Sequence, residues 1–295
     1  MIGIDVGGTT VKMGVCDGDG VPRARRSVAF DKALPPEEML DGIATAAESL
    51  VKEVGPVRAC GVGMPGQLDP RRTALVRAIN LPSWIDVPIP KLLSVRLARP
   101  VVLENDGNCA AWGEYQAGAG RGASSLVLFT LGTGVGGGIV LDGELWVGLG
   151  GAAGALGHLV VDPDGPPCGC GQRGCLQQFA SASAVAQRFG RGPAEAAFAA
   201  ARAGDPVAID AVGAAQRGLA IAVANVIHTL QPEVVVIGGG MAAAGDALLA
   251  PVREEVKRRV RPAWLERTRI EAASLEDDAG WIGAALWAAH AGEKH

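Results

Sequence analysis

The chain has 295 residues, 27 basic and 31 acidic, for a formal net charge of −4, and 48% of them are hydrophobic. This supplies material for buried cores in about two domains, offers no electrostatic footprint for nucleic acid, and contains no stretch near the roughly 18 uninterrupted apolar residues of a membrane span. Met1 leads directly into the strand-like Ile2-Gly3-Ile4-Asp5-Val6 rather than a basic signal region, so a cytoplasmic location is expected.

The apolar residues 2–4 run into Asp5-Val6-Gly7-Gly8-Thr9-Thr10, and residues 11–15 read as a second strand, so the glycines sit in a hairpin turn. Met39, Leu40, Ile43, Leu50, Val51 and Val54 then recur at helical spacing behind an acidic start at Pro35-Pro36-Glu37-Glu38, which predicts a helix covering a sheet. Gly66, closing Gly-Val-Gly-Met-Pro-Gly, and Asn80, opening Asn-Leu-Pro-Ser-Trp, offer polar groups at a strand end and a loop; each also reads as an ordinary turn. Val101-Val102-Leu103 is a strand that delivers Glu104-Asn105-Asp106 to a helix over 108–116. A carboxylate fixed at a strand end suits a general base, with Asn105 hydrogen-bonding hydroxyls. The same two residues equally suit a helix N-cap.

The strand–glycine turn–strand pattern occurs again. Residues 126–129 precede Leu131-Gly132-Thr133-Gly134-Val135-Gly136-Gly137-Gly138, residues 139–141 follow, and Asp142-Gly143 separates these from residues 145–147 as a two-residue hairpin signal. Gly132, Gly134 and Gly137 match the Gly-x-Gly-x-x-Gly spacing of a dinucleotide oxidoreductase, but that fingerprint needs a helix next, and a strand follows. Backbone N–H groups of two such turns can approach phosphate closely. Residues 206–230 read as a long Ala-rich helix and residues 234–237 as a fully buried strand. Gly238-Gly239-Gly240 with a helix over 247–260 makes a strand–helix turn, with or without a ligand. Residues 280–291 form a closing helix.

His158 and the Cys168-x-Cys170-x4-Cys175 block share a Gly/Pro-rich segment. One imidazole and three thiols predict a closed, tetrahedral, structural zinc site; the alternative is a disulfide, which a reducing compartment disfavours. Cys16, Cys60 and Cys109 read as small buried hydrophobes.

Together these motifs resemble the ROK family of sugar kinases and sugar-responsive repressors, within the actin-like ATPase superfamily, and above all its bacterial glucokinase members. The resemblance spans nearly the whole chain. It implies an α/β fold of two actin-like (ribonuclease H-like) domains with a cleft between them: residues 1–117 plus 280–295 as a small domain with the catalytic Asp, and 118–279 as a large domain with the zinc loop and adenosine segment. It implies ATP-dependent phosphorylation of a hexose hydroxymethyl group, glucose to glucose 6-phosphate, with ATP, Mg²⁺ and structural Zn²⁺. Asp106 would be the base. Gly66, Asn80, Asn105, Asp106, Ala155, His158 and Gln177 would line the sugar. Asp5, Gly7, Gly8, Thr9, Thr10, Lys12, Gly132, Thr133 and Gly134 would serve phosphate and Mg²⁺, and Gly238, Gly239 and Gly240 the adenosine. His158, Cys168, Cys170 and Cys175 would hold zinc. A homodimer or homotetramer, without nucleic acid or membrane partners, is implied as well.

Three positions depart from the family pattern. The Glu of Glu-x-Gly-His is Ala155, the Glu after Cys-Leu is Gln177, and the frequent Lys after Gly-Gly-Thr is Thr10. Each lost charged hydrogen bond is worth roughly 1.5–3 kcal/mol, about one to two decades of affinity. Gln177 retains a hydrogen bond and Ala155 does not. N-acetylmannosamine, fructose and mannose are therefore alternative acceptors, and a catalytically weak sugar sensor is the alternative to an enzyme.

Overall fold

Two hairpins that turn on glycine each open a five-stranded sheet of the same topology. The structure is a computed structural model that describes every residue except Ile79, Lys294 and His295, and every described side chain but that of Glu293. In chain order the first half runs β1 (Ile2–Val6), β2 (Thr10–Cys16), β3 (Pro22–Ala29), α1 (Pro36–Val54), β4 (Cys60–Met64), a small ribbon of β5 (Gln67–Leu68) and β6 (Leu75–Arg77), α2 (Ile89–Leu97), β7 (Val101–Asn105) and α3 (Asp106–Gln116). The second runs β8 (Leu126–Leu131), β9 (Val135–Leu141), β10 (Glu144–Leu145), α4 (Gln177–Ala180), α5 (Ala182–Phe189), α6 (Ala194–Arg202), α7 (Pro206–Leu230), β11 (Val234–Gly238), α8 (Asp246–Lys257), α9 (Pro262–Leu265), β12 (Arg269–Ala272) and α10 (Ala279–Glu293).

The sheet orders are β3-β2-β1-β4-β7 and β10-β9-β8-β11-β12. In each, three strands meander antiparallel and the last two join in parallel. Parallel strands covered on both faces need apolar side chains throughout, and all five residues of β11 and of β4 are buried. In the β9–β10 hairpin Asp142 (φ 51°) and Gly143 (φ 80°) both take positive φ, as a type I′ turn requires. The expected strand at 145–147 stops at Leu145. Trp146 N still donates to Ile139 O at 2.8 Å, but Gly148 at φ 65° then swings the chain off the sheet.

α1 starts with Pro36, Glu37 and Glu38, which suit the positive helix end, and buries Met39, Leu40, Ile43 and Leu50 against β2 and β3. Each such side chain contributes about 1.5–3 kcal/mol. α7 is long and apolar enough in length and composition to cross a membrane. Its Ala and Val face instead fills the second half's core, beneath an Asp205 cap that accepts from Val207 N (2.9 Å) and Ala208 N (3.0 Å).

The last helix of each half lies on the other half's sheet. α3 follows β7 but packs on β8 and β9, whereas α10 follows β12 but packs on β1 and β4. The two helices touch through glycine: a Cβ on Gly283 would lie 1.7 Å from Cys109 O. Trp112, Trp281, Leu126, Leu128 and Leu286 form the apolar core between the sheets.

Candidate active site

Both carboxylates of interest sit at the carboxyl ends of parallel strands. β1 carries Asp5, paired in register with Lys12 before the turn closes through Gly7 N→Thr10 O (2.9 Å). β7 ends at Glu104-Asn105, and α3 begins at Asp106, two residues before the expected start at 108. The cap is Asn105, whose Oδ1 accepts from Asn108 N (3.1 Å). Its Nδ2 donates to Asp106 Oδ1 (2.9 Å) and to Gly66 O (3.1 Å). Asp106 Oδ1 also accepts from Gly107 N (2.9 Å). Asp106 thus stands in the first helical turn and is not the cap.

Beneath them Glu104 is 2% exposed. Its Oε1 accepts from Asn105 N and Asn108 Nδ2, both 2.9 Å, and its Oε2 from Arg72 Nε on the loop between β5 and β6. A buried charge needs such partners, and here they fix the residues that hold Asp106. Beside this pair a cavity of about 110 Å³ opens toward Gly148, Gly150 and Gly151.

A larger cavity, about 210 Å³, brings Asp5, Gly7, Lys12 and Asp106 to face Thr130, Gly238 and Gly239. Burial, reinforced by the Asp106 charge and opposed by Lys12, pushes Asp5 up to about 7. Burial also raises Asp106, against the pull of Gly107 N–H and the Asn105 amide. Two acids disfavoured as anions in one cleft fit a divalent cation, which takes oxygen ligands. Lys12 Nζ lies 3.2 Å from Asp277 Oδ1 at the rim. The second glycine turn closes through Gly132 N→Gly134 O (2.9 Å) and is braced by Ala182 N→Gly132 O (2.8 Å).

The ligand atoms of His158, Cys168, Cys170 and Cys175 lie within 4.8 Å of one another. Cys168 Sγ is 3.7 Å from His158 Nδ1, and Cys170 Sγ 3.6 Å from Cys175 Sγ. Tetrahedral zinc with 2.3 Å bonds to sulfur sets donor atoms about 3.8 Å apart, so the set fits. The loop is shaped by Cys168 N→Gln172 O (2.8 Å) and by Gly174, where φ is 67° and a Cβ would fall 1.4 Å from Asp162 O. Burial pushes Cys168 up, but hydrogen bonds from Cys170, Gln177 and Cys175 outweigh it and bring it to about 6. Burial and the neighbouring sulfurs send Cys175 to about 12. One thiolate forms readily and the next is opposed, a conflict that a cation relieves.

The structure therefore joins Gly66, Asn105 and Asp106 by hydrogen bonds and places Asp5, Gly7, Lys12, Gly238 and Gly239 on one cavity. Gly8, Thr9 and Thr133 are exposed at the turn tips, with Thr10 beginning β2, and Gly240 is exposed behind Gly239. Ala155 and His158 are exposed on the segment after Gly154, which borders Asn108 Oδ1. Gln177 Nε2 donates to Cys168 Sγ (3.1 Å), tying it to the cysteine loop. Asn80 is exposed and lines neither cavity. Sequence reasoning missed Arg72, Glu104, Glu114 and the acidic rim at Glu276 and Asp277. The one available signal was a charge at the end of an otherwise apolar strand, Glu104.

A sequence profile described as the ROK family matches residues 1–291. The chain is 40% identical to a glucokinase of Thermotoga maritima, over 97% of this chain and 96% of that protein. It is 35% identical to an N-acetylmannosamine kinase of Citrobacter koseri, over 97% and 98%. A solved ROK family glucokinase from Streptomyces griseus, in complex with glucose and AMPPNP, superposes with a TM-score of 0.85 at 34% identity, covering 98% of this chain and 99% of that one.

Proposed function

Because the chain belongs to the ROK family, we propose that it is a hexokinase-type sugar kinase that transfers the γ-phosphoryl group of ATP to the hydroxymethyl oxygen of glucose. The observation that carries this is the single cavity in which Asp106 faces Asp5, the first glycine turn and Gly238-Gly239. Phosphoryl transfer proceeds through a loose transition state, so its catalysis is largely positioning and charge stabilisation. Asn105 and Gly107 both engage Asp106 Oδ1, which leaves Oδ2 to accept the hydroxyl proton. Burial, by raising Asp106, makes it a stronger base. Asn105, Gly66 and His158 hold sugar hydroxyls. Thr9, Gly132 and Thr133, with Gly7, Gly8, Thr10, Lys12 and Gly134, hold phosphate oxygens, and Gly238, Gly239 and Gly240 let adenosine lie against the chain.

Asp5 would orient Mg²⁺ through its water shell, and the ion would neutralise phosphate charge. His158, Cys168, Cys170 and Cys175 would hold zinc, which would brace the loop beside the sugar. Residues 1–117 with 280–295 form the smaller moving half and 118–279 the larger, closing to exclude water from the phosphoryl group. The enzyme works in the cytoplasm as a homodimer or homotetramer, in keeping with its free thiols.

A second acceptor class is favoured by Ala155, whose methyl group leaves room and no carboxylate on the sugar side: a 2-acetamido hexose such as N-acetylmannosamine, or mannose or fructose. A coupled ADP-release assay over these sugars ranks them by kcat/KM. Bound zinc and ATP without turnover on any hexose would overturn the kinase and favour a sugar sensor.

A further inference from the structure

We propose that Glu114 is the hinge pin of the cleft: a positioning residue that ties the end of α3 and the loop behind it to the segment by which the chain returns to the first sheet, and so keeps Asp106 aligned with the nucleotide. This rests on the phosphoryl-transfer function proposed above.

α3 packs on β8 and β9, residues 117–125 join it to β8, and the chain returns to the first sheet from β12 to α10 over residues 273–278. The Glu114 side chain, near the end of α3, reaches both segments. Oε2 accepts from Ala119 N at 2.8 Å in the first, and from Ser274 N at 3.2 Å and Ser274 Oγ at 3.4 Å in the second. Oε1 accepts from Leu275 N at 2.8 Å. Glu114 is 0% exposed, and among the described residues no Lys, Arg or His forms an ion pair with it.

Burying a carboxylate is costly unless N–H donors replace its water, and helix packing alone is served as well by an apolar side chain. The charge is explained by what it joins, two segments 155 or more residues apart in sequence whose backbone N–H groups both point at its two oxygens. The first segment is built to turn about that point. Gly118 has no Cβ, which would fall 2.1 Å from Glu114 Oε2, and Gly122 adopts φ 82°. In the second, Glu276 is a non-glycine residue at φ 48°, a strain that persists only where its surroundings fix it. Glu114 itself lines the nucleotide cavity. Asp106 opens the same helix eight residues earlier, about 12 Å along its axis, so α3 links the base to the pivot.

The test compares wild type, Glu114→Gln and Gly118→Ala. Glutamine keeps the shape but turns an NH₂ toward N–H donors, so either Leu275 N or both Ala119 N and Ser274 N lose their acceptor. The alanine methyl displaces the carboxylate without removing its charge. For each we measure kcat, both KM values, the melting temperature, and by small-angle X-ray scattering the compaction induced by glucose with a non-hydrolysable ATP analogue. Both variants should lose about 10- to 100-fold in kcat, with KM values little changed and compaction at least halved. Wild-type kcat and compaction in either folded variant would overturn the proposal. So would an activity loss that tracks only the folded fraction. If Glu114→Gln does not fold, Gly118→Ala decides. Absence of turnover by the wild type would instead sink the kinase assignment, and compaction is read without turnover.

Discussion

Replacing Asp106 by asparagine should separate chemistry from architecture. The amide oxygen can still accept from Asn105 Nδ2 and Gly107 N, each at 2.9 Å, so the turn and the sugar contacts proposed for Asn105 should persist. What disappears is the proton acceptor. General-base catalysis contributes about 10²–10⁴-fold, equivalent to about 3–5 kcal/mol of barrier. We expect kcat to fall by that factor with the hexose KM little altered. Stability should move the opposite way. Burial, the dominant influence, raises the Asp106 pKa above 3.8, so its contribution to folding is fully present below about pH 4 and is lost as pH rises through the raised value. At pH 8 burial of the carboxyl group costs the ligand-free protein stability and Asp106→Asn removes that penalty; at pH 4 the two proteins should melt alike. The assays are coupled ADP release and ligand-free melting at both pH values. A kcat within ten-fold of wild type would refute the base. A variant less stable than wild type at pH 8 would refute the burial argument.

Asp5 should dominate another pH effect: burial and then Asp106 raise it to about 7, so the Mg²⁺-free protein should lose melting temperature as pH rises through 7, and Asp5→Asn should flatten that slope. An undiminished slope in the variant would place its origin elsewhere. Gly174→Ala forces a Cβ to 1.4 Å from Asp162 O at φ 67° and should lower stability by at least about 2 kcal/mol, with zinc content by atomic emission dropping toward zero; full zinc and unchanged melting would contradict the loop model. Ala155→Glu should lower the glucose KM by about 10- to 100-fold, the worth of one charged hydrogen bond. An unchanged or higher KM would argue against glucose seated beside residue 155.

Local patterns made the hairpins and buried strands legible, because a period-2 run interrupted by Gly-Gly or Asp-Gly has few other folds. Boundaries failed where tertiary contacts took over. α3 starts at Asp106 because Asn105 is gripped from outside by Gly66 O while it caps, and β10 ends early because Gly148 at φ 65° diverts the chain. The cysteine loop was legible because its ligands are close in sequence. Partners far apart were not. Arg72 meets Glu104 across 32 residues, and Glu114 meets Leu275 across 161. A glutamate in a helix of small residues reads as a solvent-facing charge, and only the crossing of α3 onto the other sheet makes it buried.

The repeated topology also bears on how the proposed nucleotide would fit. Counting back from each turn, the second register pair is Asp5 with Lys12 in the first hairpin and Thr130 with Gly136 in the second. The charged pair of one half thus answers to small, neutral residues in the other. The same contrast recurs at the strand ends that open each closing helix, with Asp106 beginning α3 and Ala279-Gly280 beginning α10. A symmetric pair of acids facing across the cleft would repel both each other and a phosphate. With Asp5 and Asp106 on one wall, Thr130, Gly238 and Gly239 on the other, and Glu276 and Asp277 at the rim, the small-residue wall leaves space for the proposed nucleotide. The wall of Asp5 and Asp106 would supply the proposed base and the carboxylate that orients the cation. The fold provides the cleft by duplication, and the chemistry arises from the positions at which the two copies differ.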